Sequence, residues 1–117
     1  MPEHELLVSY EELLSRATTT DGNYLIVSPS YVAARWQLQQ TKDAVAARLG
    51  GDYCTLRMHP YPRLDLPGAS IHAISRASVP IRVRGMRFDA ATVLGALDEG
   101  LSAAILPALF ASPRQGA

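Results

Sequence analysis

A chain of 117 residues suits one compact domain with a modest core, and its 48% hydrophobic content is ordinary for a globular protein. Its 11 Lys and Arg balance 11 Asp and Glu, which excludes a protein that coats nucleic acid by bulk charge. The single cysteine, Cys54, excludes an internal disulfide, and no stretch reaches the roughly 18 apolar residues of a membrane span.

In chain order, "MPEHELLVSYEE" lacks the basic start and apolar run of a signal peptide. "VSYEELLSRA" predicts a first helix: Ser9 caps it, Glu12 completes a capping box, and Val8 and Leu13 stand where a hydrophobic staple would. Tyr10, Leu13, Leu14 and Ala17 share one face, and Asp21-Gly22 ends the segment in a turn. "YLIVSPS" is a near-continuous apolar run, as expected of a strand buried on both faces in a parallel sheet. A serine cap with Pro29 near the first helical position starts a long helix. Its stripe is Tyr31, Ala34, Leu38, Thr41, Val45 and Leu49, and Gly50-Gly51 closes it. Trp36 stands off that stripe, read as a partly buried side-face residue with a contact surface as the alternative.

"DYCTLRMH" predicts a second strand and "PYPRLDLPGA" a proline-rich loop. "SIHAISRA" predicts a third strand, with Ile71, Ala73 and Ser75 alternating against His72 and Ile74. "IRVRGM" reads as a period-two strand, Ile81 and Val83 on one side, Arg82 and Arg84 on the other. From Asp89 the chain is either a strand to Leu97 followed by a helix, or one long helix, because alanine and leucine dominate it. Together these elements predict an α/β protein, a layered, mostly parallel sheet with flanking helices. The expected organisation is a single domain over residues 1–117: a helical region at 1–20, an α/β core at 24–110 and a frayed tail at 111–117.

Two features carry chemistry. Asp98-Glu99 follows an apolar run, the order in which a nucleotide-hydrolysing site sets a metal-shell aspartate beside a water-polarising glutamate. The plain alternative is an exposed acid pair on a helix. The second feature is arginine. Residues 76–87 hold Arg76, Arg82, Arg84 and Arg87 and no acid, whereas residues 1–12 hold four acids and neither Lys nor Arg. On a strand, Arg82 and Arg84 would stand about 7 Å apart, a spacing suited to neighbouring phosphates or a partner's carboxylates. A solvated face is the plain alternative. The serines of "SPS" read as caps before they read as a phosphate cradle. His4, His59 and His72 are widely separated and Cys54 reads as a core residue, so no zinc site is expected. Asp98 is the one weak metal candidate. No G-x-x-x-x-G-K-S/T phosphate loop occurs, and the only lysine, Lys42, falls inside the long helix.

In their order, three segments resemble the ATPase domain of phage terminase large subunits, the DNA-packaging motors. "YLIVSPSYVAARWQLQQTKDAV" is similar to the strand and helix after the family's P-loop unit. "GASIHAISRASVPIRVRGMRFDAATVLGALDEG" resembles its later strands, arginine-glycine segment and acid pair, and "ILPALFASPRQGA" the stretch beyond. The resemblance implies a partial P-loop-NTPase-like core. Asp98 would match the magnesium-shell aspartate, Glu99 the catalytic glutamate, and Arg84-Gly85 the arginine-glycine segment. The departures are the missing P-loop, the missing next core strand and nuclease domain, and Gly100 where alanine is more usual. Such a sheet would leave an edge needing cover from a dimer, a partner chain or a rearranged N-terminal helix.

The function expected from this resemblance is a non-catalytic, terminase-like module of bacteriophage DNA packaging in the host-cell cytoplasm, binding or regulating a partner or DNA. No vestigial catalysis by Asp98 or Glu99 is expected from the chain alone. A protein partner or self-association is expected, nucleic acid is possible and a membrane is not. One alternative is a small α/β interaction protein that binds nucleic acid or an acidic partner through Arg76, Arg82, Arg84 and Arg87. Another is half of a split ATPase, which would take magnesium and ATP only when a P-loop partner completes it; otherwise no cofactor is implied.

Overall fold

The computed structural model describes residues 6–50, 54–58 and 61–109. The first helix, α1 (Tyr10–Thr19), starts as its sequence dictates, with the Ser9 hydroxyl accepting the Glu12 N–H. The expected capping box is only half formed, because the Glu12 carboxylate pairs with Arg16 one turn on, at 2.9 Å, in place of the Ser9 N–H. Leu13, Leu14 and Ala17 are buried. The chain then reverses at Gly22, whose φ of +148° is one that only glycine adopts without strain. A Cβ there would also strike the Asp89 carboxylate, which accepts the Asn23 N–H at 2.9 Å.

Strand β1 (Gly22–Ser28) leads to the long helix α2 (Tyr31–Leu49), capped by Ser30, which accepts the Ala33 N–H. Pro29 therefore precedes the cap. Ala34, Leu38, Thr41 and Val45 bury the middle of the expected stripe, but Tyr31 at its start is exposed and Leu49 at its end only half-buried. Gly50 closes the helix at φ +99°. Three strands follow: β2 (Thr55–Arg57), β3 (Arg63–Asp65) and β4 (Ala69–Ser75). A single-turn helix, α3 (Val79–Arg82), precedes strand β5 (Ala90–Val93). Helix α4 (Glu99–Ile105) and a 3-10 turn (Leu106–Ala108) complete the described chain.

The sheet has the order β2-β3-β4-β1-β5. β1 lies at its interior, parallel to β4 on one side and to β5 on the other. β3 is antiparallel to both β4 and β2. The sheet is thus mixed, where a mostly parallel one was expected. The difference comes from β3, which the proline-rich segment conceals. It is three residues long, and its alternation of Arg63, Leu64 and Asp65 buries only Leu64 completely. Pro62 sits just before it, where the missing N–H breaks no ladder bond. Arg57, Arg63 and Ser70 converge on Asp65 across β2, β3 and β4, and tie the antiparallel edge together. Burial raises the Asp65 pKa, but these three partners outweigh it and hold the carboxyl below its usual range.

Two apolar cores lie against the sheet. Tyr24 and Ile26 of β1 join Ile71 and Ala73 under α1 and α2. Leu25 and Val27 join Ile74, Val79, Val83, Phe88, Leu101 and Ile105 under α3 and α4. Cys54 is buried with the first core. The outer edge of β5 is partly covered by the N-terminal segment. Leu7 bridges to Ala91, Val8 donates its N–H to the Ala91 carbonyl at 2.9 Å, and the Thr92 hydroxyl donates to the Val8 carbonyl at 3.0 Å.

Two further expectations change. Residues 81–86 are not a strand: Ile81 is exposed and Val83 buried, so they do not share a face. Pro80 takes an early helical position, where its fixed φ suits the turn, and Val79 and Val83, one turn apart, bury together. The Ala-rich run after Asp89 is strand then helix, with the strand ending at Val93 rather than reaching Leu97. No described helix is long and apolar enough to cross a membrane. His4, His59, Gly51 and the tail from residue 110 lie outside the described residues.

His72 is buried on the α3–α4 side of the sheet, its ring 5.4 Å from Tyr61 and 5.6 Å from Phe88, and its Nδ1 has no hydrogen-bond partner. Burial, reinforced by the Arg63 charge against the weaker pull of Asp65, lowers its pKa from 6.5 to about 4. The unfolded chain therefore binds the proton first. Stability is full above the unfolded value of 6.5 and declines as the pH falls toward about 4. The shift corresponds to about 3 kcal/mol across that window. Urea titrations at several pH values between these limits should show the midpoint falling for the native chain, and the fall should flatten for His72→Leu.

Candidate functional site

The arginines of the 76–87 segment are placed by three local devices. Arg76 follows β4 directly; its N–H donates to the Ser28 carbonyl at 2.8 Å, fixing the chain beside the end of β1. Then α3 makes one turn, with the Arg82 N–H donating to the Ser78 carbonyl and the Val83 N–H to that of Val79. Gly85, at φ +80°, turns the chain back so that the Met86 N–H reaches the Val83 carbonyl at 3.0 Å. Val79 and Val83 anchor this hairpin-like segment in the core, while Ile81, Arg82, Arg84 and Arg87 remain exposed.

Arg82 and Arg84 are thus both outward, but on a helical turn and the bend after it instead of one strand face. The Arg82 guanidinium lies 5.7 Å over the Tyr61 ring. That ring belongs to the stack on His72, and its hydroxyl contacts the Met86 sulfur at 3.9 Å. Arg82 is therefore held by an aromatic face, which leaves its N–H edge for an acceptor. Neither Arg82 nor Arg84 forms an ion pair among the described residues. Arg87 is already engaged within the fold, and Arg76 pairs with Asp98 at 3.3 Å. Two recesses flank the segment. One, of about 500 Å³, opens between Tyr61, Ser78, Ile81 and Arg82. The other, of about 470 Å³, opens between Arg84, Arg87, Met86 and Pro107. An arginine-rich lip above such hollows suits a polyanion better than a buried small molecule.

Asp98 and Glu99 sit elsewhere in their local frame than at a strand end. Leu94 to Leu97 separate them from β5, and Asp98 is the N-cap of α4. Its Oδ1 accepts the Leu101 N–H at 2.8 Å and its Oδ2 accepts from Arg76. The Leu101 N–H does most to hold this carboxyl below its usual pKa, and Arg76 adds to the effect. Glu99 is the first residue of the helix and is exposed. Both acids favour the helix N-terminus electrostatically. Magnesium and nucleotide would need Asp98 to exchange these partners and would need a phosphate loop. Lys42, the only lysine, belongs to the middle of α2. Among the described residues, no group of three His, Cys, Asp or Glu is positioned to hold a metal.

Of the serines, Ser30 is a cap, Ser75 donates to Ser78 at 3.2 Å, and Ser28 is fully buried at the end of β1 with an unpartnered hydroxyl. The sequence reading missed Tyr61, the platform for Arg82. Its only signal is an aromatic between Pro60 and Pro62.

Replacing Asp98 separates capping from metal chemistry. Asp98→Ala should lower the urea midpoint by removing the bonds to Leu101 and Arg76. Asp98→Asn should recover most of that loss because asparagine caps as well as aspartate. No family model, curated protein or solved structure matches the chain, so its site is read from its own geometry.

Proposed function

We propose that the chain is a non-catalytic binding module, descended from a terminase-type ATPase core, that grips a DNA backbone through its exposed arginine segment. The observation that carries this reading is the pair Arg82 and Arg84, exposed on an anchored turn, without ion-pair partners among the described residues. Arg82 is pre-positioned by the Tyr61 ring, so little side-chain freedom is lost on binding phosphate. With no net charge on the chain, the attraction is local to this lip and not a property of the whole surface. The resemblance to a packaging motor supports DNA as the polyanion. The absence of a phosphate loop from the sequence, with Asp98 serving as a cap, supports a role without turnover.

Fluorescence anisotropy with a labelled DNA duplex tests the reading. Binding should weaken with salt, and Arg82→Ala and Arg84→Ala should each reduce the log–log salt slope by about 1, equally on unrelated sequences. Absence of binding at low salt would remove DNA as the partner. In parallel, the purified chain should show no magnesium-dependent ATP hydrolysis. Turnover that disappears in Glu99→Gln would instead assign the function to the acid pair.

A further inference from the structure

Helix α2 is unusual in having apolar residues on the side away from its core. Ala34, Leu38, Thr41 and Val45 face the sheet. On the opposite side Val32 and Trp36, 73% and 61% exposed, lead a stripe continued by Gln39, Asp43 and Ala47. Val32, Trp36, Gln39 and Asp43 are spaced by four, three and four residues, the alternation of a helix–helix seam. Val32 and Trp36, one turn apart, form a contiguous apolar patch rimmed by polar residues, the kind of surface that marks a contact site.

The charges on this face select the occupant. Gln39 lies midway between Arg35 and Asp43, both exposed. If two α2 helices cross antiparallel at Gln39, Arg35 of each copy faces Asp43 of the other, and the same pair forms twice. Gln39 donates one N–H to Asp43 of its own helix at 3.5 Å, which leaves its second N–H and its carbonyl for the Gln39 amide of the other copy where the two meet on the axis. The small Ala47 stands at the end of the stripe remote from Val32, leaving room for the larger side chain of the opposing copy. Arg35 is steadied by the Tyr31 ring, 5.8 Å away. This self-complementarity is what a two-fold interface requires, and tryptophan and arginine are the residues that commonly dominate such contacts. We propose that α2 pairs with α2 of a second copy of this chain, antiparallel, about a two-fold axis at Gln39. The pairing uses the face of the sheet away from the arginine segment and does not depend on the DNA-binding reading.

Sedimentation velocity of the full chain from about 1 to about 100 µM should show a monomer–dimer equilibrium. Trp36 is the only tryptophan, so its emission should move to shorter wavelength as the dimer forms. Arg35→Asp and Asp43→Arg should each weaken dimerisation at least about tenfold, because the two-fold doubles every change, and the combined swap should restore it. Unchanged circular dichroism verifies that each variant folds. A wild-type chain that stays monomeric throughout overturns the proposal. A dimer indifferent to Arg35→Asp, or one not restored by the double swap, overturns it as well. Quenching of Trp36 by a single-stranded oligonucleotide on a monomeric chain would assign the face to base stacking instead.

Discussion

The rest of the molecule depends on the need of one strand, β1, to be covered on both faces. Tyr24, Leu25, Ile26 and Val27 are all essentially inaccessible to solvent, so each successive side chain demands a partner on alternate sides. One helical layer cannot supply that. α1 and α2 cover Tyr24 and Ile26, and α3 and α4 cover Leu25 and Val27. The edges of β1 are met by β4 and β5 in parallel, which forces the long connections that carry the helices. The arginine turn is part of one such connection, and α2 is part of another. Both candidate surfaces are therefore by-products of burying the same strand, and they emerge on opposite faces of the sheet.

Where the sequence speaks through caps and periodicity it is legible. Ser9 caps the helix it was expected to cap. A serine of the Ser28-Pro29-Ser30 run caps α2, though it is Ser30 and leaves Pro29 outside the helix, and the middle of the α2 stripe is buried at its helical spacing. The unbroken apolar run of β1 reads correctly as two-sided burial. Legibility fails where elements are too short for a period to register. β3 has three residues beside a proline, and what makes it a strand is its pairing with β2 and β4, long-range contacts that the Asp65 network reinforces. α3 has four, and Arg-x-Arg alternation there mimics a strand because one helical turn cannot display its own repeat. The β5 region was ambiguous because alanine fits a crowded sheet and a helix equally well; its place beside β1 decides the matter.

For the site, residue types were legible and geometry was not. The arginine cluster is visible in composition, but which of its members are committed is a long-range fact. Arg76 is spoken for by Asp98, distant in sequence, whereas Arg82 is held in place by the face of Tyr61, which precedes β3 and β4 in the chain, and keeps its N–H edge open. The acid pair was legible as chemistry, yet its role as a cap depends on the loop of Leu94 to Leu97, whose length no motif encodes. Trp36 is a mixed case: its position off the buried stripe was plain, but the partial burial expected for it does not occur, and it is 61% exposed because it stands on the side of α2 away from the sheet.

The pairing of β1 also sets an order of events as the chain folds. Its backbone partners begin at Ala69 on one side and at Ala90 on the other, so neither ladder can start until most of the domain has been synthesised. Until then the most apolar segment is an unsatisfied strand, with only α1 and α2 as local shelter. Closing such distant contacts is entropically costly and slow compared with forming either helix. A nascent chain of this kind is most exposed to misassociation during the interval between the completion of α2 and the arrival of β5.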